Sequence, residues 1–270
     1  MKHNVFRLVV KRKQDHYVKL INMSNITIFI DSLLQGNQLS LTKEKHHHLT
    51  KVLRIRKNDT LRLVVSEKML YTCVLDRISP DTLFLTKVNA SPLTTSSLQI
   101  HLYQALPKGD KFSDIIKMCI QLGLNHIQPI ISQHCDVKAI SAAKFKRLNH
   151  CILSAAEQSH QSHLAKIMPP IPFQNSIDLI KNNNYDLSLF CYEFAKTEAH
   201  LVKTLLQSDR KKIKKIAVII GPEGGFSNQE VSLAKSAGLV ITHLSTNILR
   251  TEHAGFCALS MIKGALESHT

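Results

Sequence analysis

Two stretches near the end of the chain hold residue types that can do chemistry. The first, Val218 to Glu230, reads VIIGPEGGFSNQE. An apolar run stops at Gly221, Pro222, Glu223, Gly224 and Gly225, and three glycines in five residues leave bare backbone that a ligand can approach closely. In open parallel sheets such approach happens beyond the carboxyl ends of strands. The turn lacks the G-K-[ST] of a Walker loop and is not G-x-G-x-x-G. Its acidic Glu223 opposes a polyphosphate and suits a neutral or cationic ligand. The second stretch, LVITHLSTNILRTEHAGF, predicts a strand, a turn at Ser245 to Asn247, and an amphipathic helix with Arg250 and Glu252 near its start. An arginine there faces the same edge as the glycine turn.

The elements that must position these groups alternate from Leu98 onward. LQIHLYQAL, HIQPII, DLSLFCYE, KIAVII and LVITHL read as strands, and the segments between them as helices. In KFSDIIKMCIQLG, Phe112, Ile115, Ile116 and Cys119 share a helical face and Gly123 marks the stop. Ser227 and Glu230 form a capping box for the helix after the glycine turn, and Gly238 ends it. Such alternation implies an α/β domain with a parallel sheet covered on both faces, here 98–270. Residues 23–90 predict short strands around one helix, a small, partly closed β-barrel. Leu49, Val52 and Leu53 are placed on one helical face, Leu61, Leu63 and Val65 point inward, and so do Tyr71, Cys73 and Leu75. Residues 91–97, in the polar stretch NASPLTTSS, are the expected linker, and 1–22 an N-terminal extension.

Bulk composition narrows the function classes. The 270 residues carry 35 Lys and Arg against 20 Asp and Glu, a net charge of +15 that attracts polyanions, nucleic acid above all. Sixteen of the basic residues but only seven of the acidic ones precede residue 93, so the excess is denser in the N-terminal third. No run approaches the ~20 apolar residues of a membrane span, and no secretory signal is evident. Six scattered cysteines without a C-x-x-C pair argue for reduced thiols in a cytoplasmic protein. His46, His47 and His48 are adjacent in a helix, point in different directions, and so cannot share a metal ion.

Taken together, GPEGGFSNQE and LSTNILRTEHA resemble the ribosomal RNA small subunit methyltransferase E family of the SPOUT class. HLTKVLRIR, KGDKFSDIIKMCIQLG, AAEQS and CYE agree in the same order, from about Met23 to the C-terminus. The resemblance implies a PUA-like N-terminal barrel, a C-terminal trefoil-knotted parallel-sheet domain, a homodimer, and S-adenosylmethionine (SAM) as methyl donor. The family reaction is methylation of N3 of uridine 1498 in 16S rRNA of the 30S subunit. The implied cofactor residues are Tyr192, Gly221, Pro222, Glu223, Gly224, Gly225, Leu244, Ser245, Asn247, Ile248 and Leu249. Uracil N3 must lose its proton before it attacks. Arg250 can stabilise the resulting charge, and either Glu223 or Glu252 can take the proton. His48, Lys51, Arg54, Arg56 and Lys108 are the RNA-binding candidates, with Lys57 beside them. The chain departs from the family pattern at Met118, Gln121, His134, Gln161, Asn247 and His253. Those changes leave open a SPOUT enzyme with another RNA target, or a ribosome-binding or assembly module without turnover.

Overall fold

The computed structural model describes residues 26–30, 38–40, 42–80, 82–93 and 98–267. The expected extension 1–22, and residues 94–97 of the expected linker, lie outside them. The N-terminal part is a five-stranded sheet of β1 (Ile26–Ile30), β2 (Gln38–Ser40), β3 (Thr60–Val65), β4 (Met69–Ile78) and β5 (Thr82–Pro92) in the order β1-β3-β4-β5-β2. β1 runs parallel to β3, and the other pairs are antiparallel. Register shifts at Thr72/Cys73 and Leu75/Arg77 interrupt the ladder between β4 and β5, the kind of irregularity that bends a strand. Ile28 and Leu39 come from opposite edges, yet both are buried in one cluster with Leu61, Leu63, Cys73, Leu75, Leu83 and Leu85. The sheet therefore curls around a common interior, the PUA-like arrangement. β5 continues through Ser91 and Pro92, the first two positions of the expected linker.

One helical expectation fails in detail. Helix α1 (Lys43–His47) passes into a wide π-helical turn over His48–Val52, closed by Leu53 N–H donating to the His48 carbonyl at 2.9 Å. The wider turn breaks the 3.6-residue period on which a shared face depends. Leu49 is buried, but Val52 is 59% exposed and Leu53 also faces solvent. β3 is read correctly at Leu61 and Leu63. The run TLRLVV also buries Val64 completely, on the opposite face, while Val65 is only partly buried. Tyr71, likewise expected to point inward, is partly buried against the barrel core.

The C-terminal part is a parallel sheet flanked by helices. In chain order it comprises β6 (Gln99–Ala105), α2 (Lys111–Gln121), β7 (His126–Ile131), α3 (Ala142–Gln158), β8 (Lys166–Ile167), β9 (Ile171–Pro172) and α4 (Phe173–Asn182). It continues with β10 (Leu187–Cys191), α5 (Leu201–Gln207), β11 (Lys215–Ile220), α6 (Asn228–Ser236), β12 (Val240–Thr242) and α7 (Thr251–Leu266). Strand order is β12-β10-β11-β6-β7-β8, with β9 also on β7 and every pairing parallel. Phe112, Ile115, Ile116 and Cys119 of α2 are buried as the periodicity requires. The Ser227–Glu230 capping box is present on α6, and Gly238 follows that helix at φ +81°. After edge strand β12 the chain returns across β10, and α7 packs on β11 and β6 between α2 and α5. On the way His243 N–H donates to the Ala199 carbonyl at 3.0 Å and Leu201 N–H to the His243 carbonyl at 3.0 Å, lacing the return into the loop after β10. The fold class is the one expected, an α/β parallel-sheet domain of SPOUT type behind a PUA-like barrel.

The two parts share an interface at the end of α3. Glu157 Oε1 accepts from the Phe29 N–H at 3.3 Å and lies 3.5 Å from Lys45 Nζ, which itself donates to the Phe29 carbonyl at 2.5 Å. Phe29 and Val64 join the large C-terminal core. AAEQS thus acquires a reason: its glutamate satisfies an edge-strand amide and pairs a cation. Glu157→Ala leaves the Phe29 amide unpartnered and strips Lys45 of its counter-charge, and a loss of about 1–3 kcal/mol is expected by urea denaturation, with Glu157→Gln losing less because the amide oxygen still accepts.

A polar cluster lies at the amino end of the sheet. His101 Nδ1 is 2.7 Å from the Tyr185 hydroxyl, which is 3.0 Å from that of Tyr103. The rings of His101 and His126 lie 4.9 Å apart. Burial, with His126 and Lys215 adding to it, holds the His101 pKa down at about 4 from 6.5. A depressed histidine is neutral in the fold but protonates in the unfolded chain, so its contribution is full above pH 6.5 and lost as pH falls toward 4. Thermal melts should show Tm falling across that window, and His101→Gln should flatten the fall.

Candidate functional site

The carboxyl ends of β10, β11 and β12 open onto a cavity of about 340 Å³. Its walls are the loop from Tyr192, the turn Gly221–Gly225, and the segment from His243 into the first turn of α7. The turn's shape follows from its glycines. Gly225 adopts φ +66°, and a Cβ there would collide with the carboxylate of Glu193. A Cβ on Gly221 would sit 3.0 Å from the buried ring of Phe226. Gly224 faces away from the cavity. A Cβ on it would lie 3.0 Å from the His134 side chain, and His134 Nδ1 is 3.0 Å from the Gly224 carbonyl and 3.3 Å from that of Gly225. His134, one of the positions that depart from the family pattern, therefore lies against the back of the turn.

A buried relay fixes the start of α7 against the same turn. Gln104 Nε2, on β6, donates to Thr251 Oγ1 at 3.1 Å, and Thr251 Oγ1 donates to the Gly221 carbonyl at 2.5 Å. Gln104 and Thr251 are both buried, and the Gln104 Oε1 atom has no partner among the described residues. Thr251 sets the height of its neighbours: Arg250, at the cap position of α7, is exposed and lines the cavity, as does Glu252.

Lys111, the first residue of α2, joins the two candidate carboxylates. Its Nζ is 2.9 Å from Glu223 Oε1 and 3.3 Å from Glu252 Oε2. The second approach is an ion pair without hydrogen-bond alignment, because Glu252 Oε2 is buried without a hydrogen-bond partner. Partial burial pushes the Glu223 carboxyl upward, but hydrogen bonds from Lys111 and from the Glu223 and Lys108 amides outweigh it and leave the pKa below the ordinary range. Glu252 is also held low, first by its own backbone N–H at the helix start, against some desolvation, and then by Lys111. The Lys111 ammonium is pushed up mainly by Glu223.

Of the cofactor residues expected from the sequence, Tyr192, Gly221, Pro222, Glu223, Gly225, Leu244, Ser245, Asn247, Ile248 and Leu249 line this one cavity, and Gly224 does not. All three expected catalytic residues line it too. Sequence reasoning missed Lys111, Glu193, His243 and Thr251. Lys111 and Thr251 sit inside motifs already singled out, KGDK and LRTE, and only the folded geometry shows what they touch.

The RNA-binding candidates fall elsewhere. His48, Lys51, Arg54 and Arg56 are exposed on the barrel's π turn and the loop after it, as is Lys57. Arg54 takes φ +54°. Lys108 is exposed near the mouth, with Nζ 2.8 Å from Asp136 Oδ2. Among the described residues no group of three or more His, Cys, Asp or Glu is arranged to hold a metal ion. His46 Nε2 is 2.7 Å from the Ser79 carbonyl, while His47 and His48 are exposed. No described helix is long and apolar enough to cross a membrane.

Two domain families match the chain: the RNA methyltransferase domain over residues 94–263 and the RNA methyltransferase PUA domain over 41–88. Ribosomal RNA small subunit methyltransferase E of Rickettsia conorii is 32% identical over 253 residues, covering 90% of this chain and 96% of its own. A Legionella pneumophila chain solved in complex with bound SAM superposes with a TM-score of 0.74 at 27% identity, covering 90% of this chain and 98% of that one. The crystal structure of ribosomal RNA small subunit methyltransferase E from Neisseria gonorrhoeae bound to SAM also gives 0.74, at 26% identity over 89% and 97%. By this match, and by the parallel sheet whose strand ends carry the glycine turn and Arg250, the chain belongs to the ribosomal RNA small subunit methyltransferase E family.

Proposed function

We propose that the protein transfers the methyl group of SAM to N3 of a uridine in 16S rRNA of the small ribosomal subunit, uridine 1498 in the rRNA numbering. One observation carries the reading: a cavity at the strand ends, walled by the glycine turn, brings Arg250 together with the carboxylates of Glu223 and Glu252. A volume of about 340 Å³ is of the size small-molecule sites take. The bound SAM of two relatives of the same fold supports the donor. Backbone groups of Gly221, Pro222, Gly225 and Leu244 to Leu249 meet the adenine and ribose, and the acidic wall suits the sulfonium.

The Arg250 guanidinium, exposed and without a hydrogen-bond or ion-pair partner among the described residues, is free to receive the oxygen on which negative charge develops. The depressed pKa of Glu223 and Glu252 makes each a weak proton acceptor, which favours a holding role over general-base work. His48, Lys51, Arg54, Arg56 and Lys108 are assigned to phosphate contacts, with the barrel, residues 23–90, as the RNA-binding domain. A homodimer is part of the reading. Phe194, 71% exposed, and Ile248, 75% exposed, lie beside the cavity mouth with Phe256 of α7 half-exposed, and a second copy would cover such apolar surface.

A second reading, another RNA target, is favoured by altered positions whose side chains are engaged by the protein itself. His134 faces the glycine turn, and Gln161 Nε2 donates to the Gln121 carbonyl at 3.3 Å.

Three results are expected. Labelled SAM should methylate 30S subunits or naked 16S RNA, and the N3-methyl block to primer extension at uridine 1498 should vanish when the gene is deleted. A block that persists in the deletion sinks the assigned target, and label found in another RNA supports the second reading. Arg250→Ala should lower kcat on the order of 10²-fold with SAM affinity retained. Gly225→Ala should weaken SAM binding roughly tenfold by calorimetry, since a non-glycine residue at positive φ costs about 1–2 kcal/mol and the added methyl meets Glu193.

A further inference from the structure

Lys111 comes from the start of α2, Glu223 from the turn after β11 and Glu252 from the first turn of α7, so three distant segments meet at one ammonium. An ammonium has three donors. One is spent on Glu223, one is drawn toward Glu252, and the third remains. Lys111 also lines the cavity, as do Tyr192 and Glu193. An ion pair serving stability alone has no need of a place in the cavity wall. Here two carboxylates aim a cation whose last hydrogen has no acceptor among the described residues.

We infer that Lys111 is a catalytic residue: held by Glu223 and Glu252, it donates its remaining hydrogen to a carbonyl oxygen of the uracil and stabilises the N3 anion. The inference rests on the methyltransferase reading above and deepens it. The N3 proton passes to a solvent water. The electron pair left on N3 forms the new bond to the methyl carbon, and the carbon–sulfur pair returns to sulfur. The products are N3-methyluridine and S-adenosylhomocysteine, with one proton released. Lys111 is not consumed, and its charge is a compact point that either oxygen beside N3 can receive. Arg250 takes the other oxygen.

The charged groups facing Lys111 are Glu223 on the turn, Glu252 on α7 and Lys108 on the preceding loop, with Arg250 and His253 flanking Glu252. The test is single-turnover methyl transfer to 30S subunits from pH 6 to 10 by wild type, Lys111→Met and Lys111→Arg, with SAM affinity measured by calorimetry. Lys111→Met should bind SAM within about threefold of wild type, transfer on the order of 10²-fold more slowly at pH 7, and regain rate tenfold per pH unit where wild type has levelled off, because the uracil must then ionise unaided. Lys111→Arg should recover part of the rate. Release of Glu223 and Glu252 toward their ordinary range acts only below about pH 5 and does not mimic this. An unchanged rate overturns the role. So does a pH-independent loss shared equally by both variants, which marks Lys111 as structural support. A wild type that transfers no methyl overturns the underlying reading as well, whereas an active wild type beside an indifferent Lys111→Met overturns the role of Lys111 alone.

Discussion

The hydroxyl of Thr251 on the carbonyl of Gly221 is the contact on which the site depends. Without it the glycine turn and the last helix are two neighbouring features at the edge of a sheet. With it, the turn's main chain and the first turn of α7 become one surface, and Gln104 extends the tie into the middle of the sheet. Everything that faces the cavity from α7 inherits its position from this residue, because Arg250 and Glu252 flank it in sequence. The relay is buried, so each of its hydrogen bonds forms away from competing water and leaving one unmade is costly.

Charge follows the same economy. A chain with a net charge of +15 brings Arg250, one lysine and three glutamates to the cavity, and two of those glutamates pair with the lysine. Lys111 lowers the proton affinity of both acids, and they keep it charged. Such mutual bias reinforces the charged form of all three groups. The barrel holds the other side of the division, with exposed cations on a π turn whose buried anchor is Leu49.

Much of this was legible in the sequence because local rules and tertiary demand agree. The glycines at 221 and 225 sit where backbone approach and positive φ are needed, and the helical period of Phe112, Ile115, Ile116 and Cys119 matches the face they bury. The failures have physical causes. Val52 and Leu53 looked internal because a 3.6-residue period was assumed, and the π turn removes it. Lys111 was invisible as a site residue because its partners lie more than a hundred positions away, and no local pattern encodes that meeting.

Strand β3 has a consequence of its own. Leu63 and Val64 are adjacent and both fully buried, yet they face two different interiors, one inside the barrel and one shared with the catalytic sheet. A strand with no wet side cannot be cut away from either neighbour without baring oil to water. The barrel is therefore not a detachable bead on a string. It and the catalytic body form a joint-stock structure, so evolution can repaint the barrel's outer loops freely but cannot trade the barrel for another without rebuilding the wall on which it leans.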